Sequence, residues 1–213
     1  MNFIDKISNE QLDILKEIGN IGAGHAATAL STMMNKKIDM KVPSVRIMTF
    51  DEMIDMAGGS ENVVASVYLR MEGEAPCNLF FVLPLIQGNK YIQQLICDPS
   101  FSFDHPPFDE MALSALQELG NILASNYISS LSDFTGLDLY PSVPAVCVDM
   151  LGAILSYGFI ELSAFSDYVI VIDTALNEAN DDDVRSVDGH FFLFPDPESF
   201  EIMFHSLGVA LNE

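Results

Sequence analysis

The chain has 213 residues, enough for one sizeable domain or two small ones. Its 31 acidic and 9 basic residues give a net charge of −22, which argues against nucleic-acid and lipid-surface roles. Such acidity suits a partner with a basic face, although it also serves solubility or salt adaptation. Hydrophobic residues make up 49% of the chain, enough for a substantial core, yet no apolar run approaches the roughly 18 residues of a membrane helix.

Two further features bear on the compartment. The segment from Met1 to Ile7 lacks the basic start and long apolar stretch of a signal peptide, so we expect a cytoplasmic protein. Cys77, Cys97 and Cys147 stand among apolar residues without paired spacing. This predicts three reduced core residues rather than a disulfide or zinc framework.

The first half predicts a helix, a strand, a short helix, a hairpin and another helix. Ser8 and Gln11 form a capping box that predicts the start of a long helix, which we expect to end near Met34. Pro43 lies within the following strand and cannot donate to a ladder, so we expect that strand to be at an edge or bulged. The predicted elements are helix 8–34, strand 38–50, helix 51–57, strands 62–71 and 77–84, and helix 88–97.

The second half repeats this order after an irregular, proline-rich link at 98–107. Twice helix, strand, helix, strand, strand, helix predicts an α+β fold with mostly antiparallel pairing. We expect one domain over 1–213, built from two homologous, intertwined halves of about 1–100 and 101–213. The predicted elements are helix 108–132, strand 137–148, helix 149–162, strands 168–177 and 189–195, and helix 197–208.

One short pattern occurs in both halves at a constant offset of 101 positions, which indicates an internal duplication. Each copy has an acid or hydroxyl residue, a Glu four positions later, an Asn three positions after that, and a Pro after 22 further residues. The residues are Asp13, Glu17, Asn20 and Pro43 in the first copy, and Ser114, Glu118, Asn121 and Pro144 in the second.

The first three residues of each copy fall on one helix face, because positions i, i+4 and i+7 stack over about two turns. The surrounding residues are apolar, so each helix is predicted to be largely packed, with one narrow polar stripe. A solvated face is the usual explanation of such a glutamate. Asparagine, however, is a mediocre helix residue, and glycine costs about 1 kcal/mol relative to alanine. Gly19 and Gly120 therefore indicate either close helix packing or the close approach of another group.

The duplicated pattern resembles the CheC-type chemotaxis phosphatases, a family that includes CheX and the phosphatase part of FliY. The resemblance covers essentially the whole chain. It implies a pseudo-two-fold symmetric α/β sandwich with a mostly antiparallel sheet, in which two long motif helices lie side by side and exposed on one surface. It also implies an enzyme that hydrolyses the aspartyl phosphate of the response regulator CheY.

The residue types suit this chemistry. Asparagine is neither base nor nucleophile, but its amide both donates and accepts, so it can hold a water in line with a phosphorus atom. The resemblance implies that Asn20 and Asn121 orient the attacking water. It implies that Glu17 and Glu118 pair with the regulator's lysine and fix the docking. No cofactor of the chain's own is expected, since the regulator supplies the magnesium site.

Four other motif residues are expected at the margin of the sites. Asp13 and Ser114 flank them, and this difference leaves open whether the two copies are equally active. Pro43 and Pro144 are expected to shape the adjoining strand rather than to touch substrate.

The alternative function is a non-catalytic adaptor that binds phosphorylated CheY and regulates CheD, a receptor deamidase that the implied family also binds. Two intact Glu-x-x-Asn motifs favour catalysis, since an adaptor has no need of paired amides.

Other chemistry finds little support. No metal site is expected, because the histidines lack ligand spacing and the acidic loop at 178–183 lacks the glycine and final glutamate of a calcium loop. The glycine-rich stretch at 19–24 superficially resembles a dinucleotide motif, but it lies inside a predicted helix. The histidines are His25, His105, His190 and His205.

Overall fold

The structure, a computed structural model, describes residues 7–162, 168–178 and 189–207. Within these ranges none of the helices is both long and apolar enough to cross a membrane. The helices are α1 (Asn9–Met34), α2 (Phe50–Met56), α3 (Leu85–Ile96), α4 (Glu110–Thr135), α5 (Leu151–Leu162) and α6 (Pro197–Ser206). The strands are β1 (Ile38–Lys41), β2 (Val45–Thr49), β3 (Val63–Gly73), β4 (Cys77–Pro84), β5 (Leu139–Pro141), β6 (Ala145–Met150), β7 (Tyr168–Glu178) and β8 (Gly189–Pro195).

The strands form one antiparallel sheet in the order β1-β7-β8-β4-β3-β5. β2 lies beyond β1 along the same partner β7, and β6 lies beyond β5 along β3. The first half thus supplies the edge next to β7 of the second half, and the second half supplies the edge next to β3 of the first. This exchange of edge strands confirms the predicted α+β fold with antiparallel pairing. That all 213 residues form one domain stays a prediction.

Each edge of the sheet is broken at a proline. Pro43 lies between β1 and β2, and Pro144 lies between β5 and β6. Proline has no N–H to donate, so a ladder cannot continue through it without a break. The two strands that the sequence predicted as continuous are therefore each two short strands. The expectation that the strand containing Pro43 lies at an edge is confirmed, whereas its prediction as one continuous strand is wrong.

The sheet has a hydrophobic core on each face, because successive side chains of a strand point to opposite sides. In β4, Leu79 and Phe81 contribute to the larger core, which is shared with α1, α3, α4 and α6. Phe80 and Val82 contribute to the smaller core, which is shared with α2 and α5. Burial on both faces explains why the sequence of β4 is an almost continuous run of apolar residues.

The two long helices lie side by side on one face of the sheet, as the resemblance implied. Their backbones are in close contact at Gly22, where an added Cβ would lie 3.0 Å from the carbonyl oxygen of Asn126 and from the Cα of Tyr127. Gly24, two residues further on, faces open space. Of these two helical glycines, only Gly22 is required by the packing of α1 on α4.

The prediction of three core cysteines is wrong for two of them. Cys77 is buried in β4, but Cys97 and Cys147 are exposed, and all three thiols are free. Cys97 ends α3 in the left-handed conformation, with φ 57°, so its side chain leaves the apolar face of the helix. Cys147 lies on the edge strand β6 and alternates with Val146 and Val148, which pack on the larger core.

A charge cluster around the buried carboxylate of Asp173 joins the two halves, and no sequence pattern predicted it. The carboxylate of Asp173, on β7, accepts a hydrogen bond from Arg46 Nη2 at 2.7 Å and another from the Ser44 hydroxyl. His190 Nδ1 lies 2.8 Å from the same carboxylate. Burial raises the pKa of Asp173, but the hydrogen bonds of His190 and Ser44 and the charge of Arg46 outweigh it and hold that pKa below its ordinary value. The cluster ties β2 of the first half to β7 and β8 of the second.

The helix contact predicts opposite effects of the same substitution at two neighbouring glycines. Gly22→Ala should destabilise the chain by about 1–3 kcal/mol, because the new methyl group would force the α1 and α4 backbones apart. Gly24→Ala should stabilise it by about 0.5–1 kcal/mol, because alanine favours a helix and nothing obstructs the methyl group. Urea unfolding of both variants measures the difference. Equal effects would contradict a specific close contact at Gly22.

The charge cluster predicts how stability depends on pH. Because the folded pKa of Asp173 is depressed, its contribution is present above the unfolded pKa near 4 and is lost as pH falls through the lower folded value. Asp173→Asn should therefore cost about 1–3 kcal/mol at pH 7 and make the acid loss of stability shallower. The matched control is Asp39→Asn, which breaks an exposed pair with Lys41 and should cost less than about 1 kcal/mol. Urea unfolding between pH 3 and 7 measures both variants. If the free energy of unfolding of Asp173→Asn falls with decreasing pH as steeply as that of the unaltered chain, the stabilising role of the Asp173 carboxylate is contradicted.

Candidate functional site

Local signals fix the ends of both motif helices. Ser8 caps α1 through the predicted capping box with Gln11, and Asn35 ends it in the left-handed conformation. Asp109 caps α4 by accepting from the N–H of Met111, and Gly136 ends it with φ 72°. Each helix has 26 residues, so each motif lies in the first half of a long, packed helix.

The structure places both motif copies on the outward side of these helices. The neighbouring residues Ile18 and Leu119 are buried in the larger core, which holds each helix against the sheet. The acidic and hydroxyl positions are exposed and both asparagines are half-buried, so neither copy is sealed in the interior. The exposed residues are Asp13, Glu17, Ser114 and Glu118, and the half-buried ones are Asn20 and Asn121.

The two glutamates are available to a partner. Within the described part of the chain, the side chains of Glu17 and Glu118 make neither a hydrogen bond nor an ion pair. Each lies one helical turn before its asparagine, so the carboxylate and the amide lie on the same side of the helix. Each copy can therefore present its acid to a second protein, and whether the amide is also available depends on the bonds that it makes.

In the first copy the amide of Asn20 is bonded to its own chain. Its Nδ2 donates to the carbonyl of Val42 at 3.2 Å and to that of Lys16 at 3.0 Å. Its Oδ1 accepts from the N–H of Val42 at 3.0 Å. We call these bonds between Asn20 and Val42 the clasp, because they join helix α1 to the broken edge strand. Val42 immediately precedes Pro43, so the 22-residue interval in the sequence pattern separates the two sides of the clasp.

In the second copy the equivalent amide is much less engaged. Asn121 Oδ1 accepts from the Ser125 hydroxyl at 3.2 Å, and its Nδ2 donates to no group within the described residues. The strand break is held instead by Gln117, whose Nε2 donates to the carbonyl of Pro144 at 2.7 Å. Which of these amides faces the strand could not be predicted from the repeated pattern.

The two glycines between Glu and Asn are explained by packing within the chain. A Cβ at Gly19 would lie 3.1 Å from Cγ2 of Val42, and one at Gly120 would lie 2.5 Å from Cγ2 of Val67. The expected close approach is therefore real, but the approaching groups are valine side chains of the edge-strand break and of β3.

The prolines do what the sequence suggested, since Pro43 and Pro144 interrupt the edge strands next to the sites. No group of three His, Cys, Asp or Glu side chains that could hold a metal ion occurs within 7–162, 168–178 and 189–207. The acidic loop rejected as a calcium site lies outside the described residues, except for Glu178 at the end of β7. His25, His105 and His205 are exposed.

Comparison with known proteins agrees with this geometry. A model of the CheC-like family matches residues 10–47 and 111–148, two segments that each contain one motif copy with its proline. The CheY-P phosphatase CheC of Bacillus subtilis (strain 168) is 45% identical over 211 residues, which cover 99% of this chain and 100% of that protein. The flagellar motor switch phosphatase FliY of the same organism is 32% identical over 143 residues, or 67% of this chain and 37% of FliY.

Solved structures share the fold. The structure of Thermotoga maritima FliY has a TM-score of 0.72 at 19% identity, covering 95% of this chain and 98% of that one. The FliM middle domain from H. pylori has a TM-score of 0.67 at 14% identity, covering 94% of this chain and 99% of that one. With both motif segments matched by the family model and a relative 45% identical over its full length, the chain belongs to the CheC-like family.

Proposed function

We propose that this chain is a phosphatase that hydrolyses the aspartyl phosphate of the chemotaxis response regulator CheY. The observation that supports this function is an exposed glutamate one helical turn before an asparagine with a free amide N–H, at Glu118 and Asn121. This pair occurs in a chain that is 45% identical throughout its length to a CheY-P phosphatase. The same proposal places the chain in the cytoplasm with its regulator.

The proposed mechanism divides the work between enzyme and substrate. The regulator supplies the magnesium ion and the lysine that neutralise charge on the phosphoryl group. The glutamate pairs with that lysine and so fixes the orientation of the two proteins. The asparagine amide enters the phosphorylated pocket and holds a water in line with the phosphorus atom. Attack of this water forms a P–O bond, breaks the bond to the regulator's aspartate, and releases inorganic phosphate.

This mechanism asks only for positioning from the enzyme. Phosphoryl transfer needs little covalent chemistry from a protein beyond orientation and charge stabilisation. Asparagine supplies a donor and an acceptor without changing its own charge. The net charge of −22 would favour a regulator that presents a basic face, since complementary charge speeds association.

The adaptor hypothesis is the weaker one, because the full-length relative is named as a phosphatase. Binding of the deamidase CheD is compatible with catalysis, and we propose it as a second interaction of the chain. Addition of CheD to the phosphatase assay would test it through a change in turnover.

The proposed role of the amides predicts that a double variant loses turnover. Asn20→Ala combined with Asn121→Ala should slow CheY-P dephosphorylation by at least about tenfold, because no amide remains to orient the water. Decay of the phosphorylated regulator is measured with the chain at substoichiometric concentration, so that catalysis is distinguished from stoichiometric binding.

Glu61→Ala is the matched control, since Glu61 is an exposed carboxylate in the connection between α2 and β3, on another part of the surface. It should leave turnover unchanged. Circular dichroism of the double variant establishes that it is folded. Undiminished decay in the folded double variant would reject the role of the amides.

A further inference from the structure

We propose that the two motif copies do different work: the Glu118–Asn121 copy performs the turnover, and Asn20 of the first copy is a structural clasp on the edge strand. This inference rests on the proposed phosphatase function. It concerns residues that sequence pattern alone would treat as equivalent.

The first step is that the amide of Asn20 is already occupied. To orient a water, an amide must offer a hydrogen-bonding group that its own protein does not use. Both ends of the Asn20 amide are bonded to Val42, at 3.0 and 3.2 Å. Release of Asn20 would leave the N–H and C=O of Val42 without these partners, and such unmet backbone groups are costly when buried.

The second step is that water cannot easily take the place of Asn20. Val42 is only 4% exposed, and its side chain packs on the space left by Gly19. The following residue, Pro43, has no N–H with which to rebuild a ladder. The clasp therefore holds the buried Val42 in place at the break in the sheet, and its opening would expose the apolar side chain of Val42.

The third step is that the second copy is built in the opposite way. Val143, the counterpart of Val42, is 85% exposed, so this segment does not close over its helix. Gln117 holds the strand break through the carbonyl of Pro144, and it occupies the position of Lys16 in the first copy. A lysine side chain can also donate a hydrogen bond, but in the first copy the bonds to the strand are made by Asn20 rather than by Lys16. With Gln117 in that role, Asn121 is left for a visiting protein.

A hydroxyl group also distinguishes the two copies. Ser125 donates to Asn121 Oδ1, whereas the corresponding residue of the first copy, Gly24, has no side chain. This bond takes one of the two lone pairs of Asn121 Oδ1, so the oxygen can still accept and Nδ2 remains a free donor. The difference lies one turn beyond the asparagine, on the same helix face.

Four single variants test the division of work: Glu17→Ala, Asn20→Ala, Glu118→Ala and Asn121→Ala. Turnover of phosphorylated CheY and the melting temperature are measured for each. Glu118→Ala and Asn121→Ala should lower turnover by at least about tenfold at an unchanged melting temperature. Asn20→Ala should lower the melting temperature by several degrees, because the clasp is lost, and should retain more than about half of the turnover.

If Asn20→Ala does not fold, the comparison of Glu17→Ala with Glu118→Ala still tests the division of work. Glu17 is exposed and makes no bond within the described residues, so Glu17→Ala should fold as the unaltered chain does and keep more than about half of the turnover. Equal losses in Glu17→Ala and Glu118→Ala would overturn the division of work while leaving the proposed function intact. If all four variants and the Asn20, Asn121 double variant keep full turnover, the proposed function fails and this inference fails with it.

Discussion

The hydrogen bond between a motif helix and a broken edge strand is the constraint on which both candidate sites depend. A proline in an edge strand ends the ladder, and the backbone groups beside it need partners from elsewhere. In the first half Asn20 supplies them to Val42, and in the second half Gln117 supplies one to Pro144. The polar stripe that holds the sheet edge therefore also carries the exposed glutamates of the two candidate sites. The side chain that bonds to the edge strand is no longer available to a partner protein, whereas a second amide on the same helix face remains available.

The exchange of edge strands explains why these contacts link the whole molecule. β1 and β2 of the first half pair with β7 of the second, and β5 and β6 pair with β3. Each clasp therefore joins a helix to a strand that is itself bonded to the other half. The buried carboxylate of Asp173 strengthens one of these seams through Arg46 and Ser44. A change at either edge is expected to affect both halves, because neither sheet edge belongs to one half alone.

Sequence patterns predicted most of the elements and their order, because periodicity and capping are local. The capping box at Ser8 and the edge position of the strand at Pro43 both depend on residues close in sequence, and both were found as expected. Contacts between distant residues could not be predicted in this way. Asp173 meets Ser44 across 129 positions, and the exposure of Cys147 depends on which strand lies at the edge. Likewise, the repeated motif indicated the position of both candidate sites but not the hydrogen bonds that make them different.

A duplicated motif need not remain two equal sites, and the residues beside it give the physical reason. One amide satisfies the strand break in each half, so a second amide on the same face is free to do something else. The second copy has two amides there, Gln117 and Asn121, whereas the first has Lys16 and Asn20. With a lysine at the earlier position, the asparagine is the amide left to bond both backbone groups of Val42. If the proposed function holds, the number of amides on the helix face, rather than the presence of the Glu-x-x-Asn pattern, determines whether a copy can orient a water.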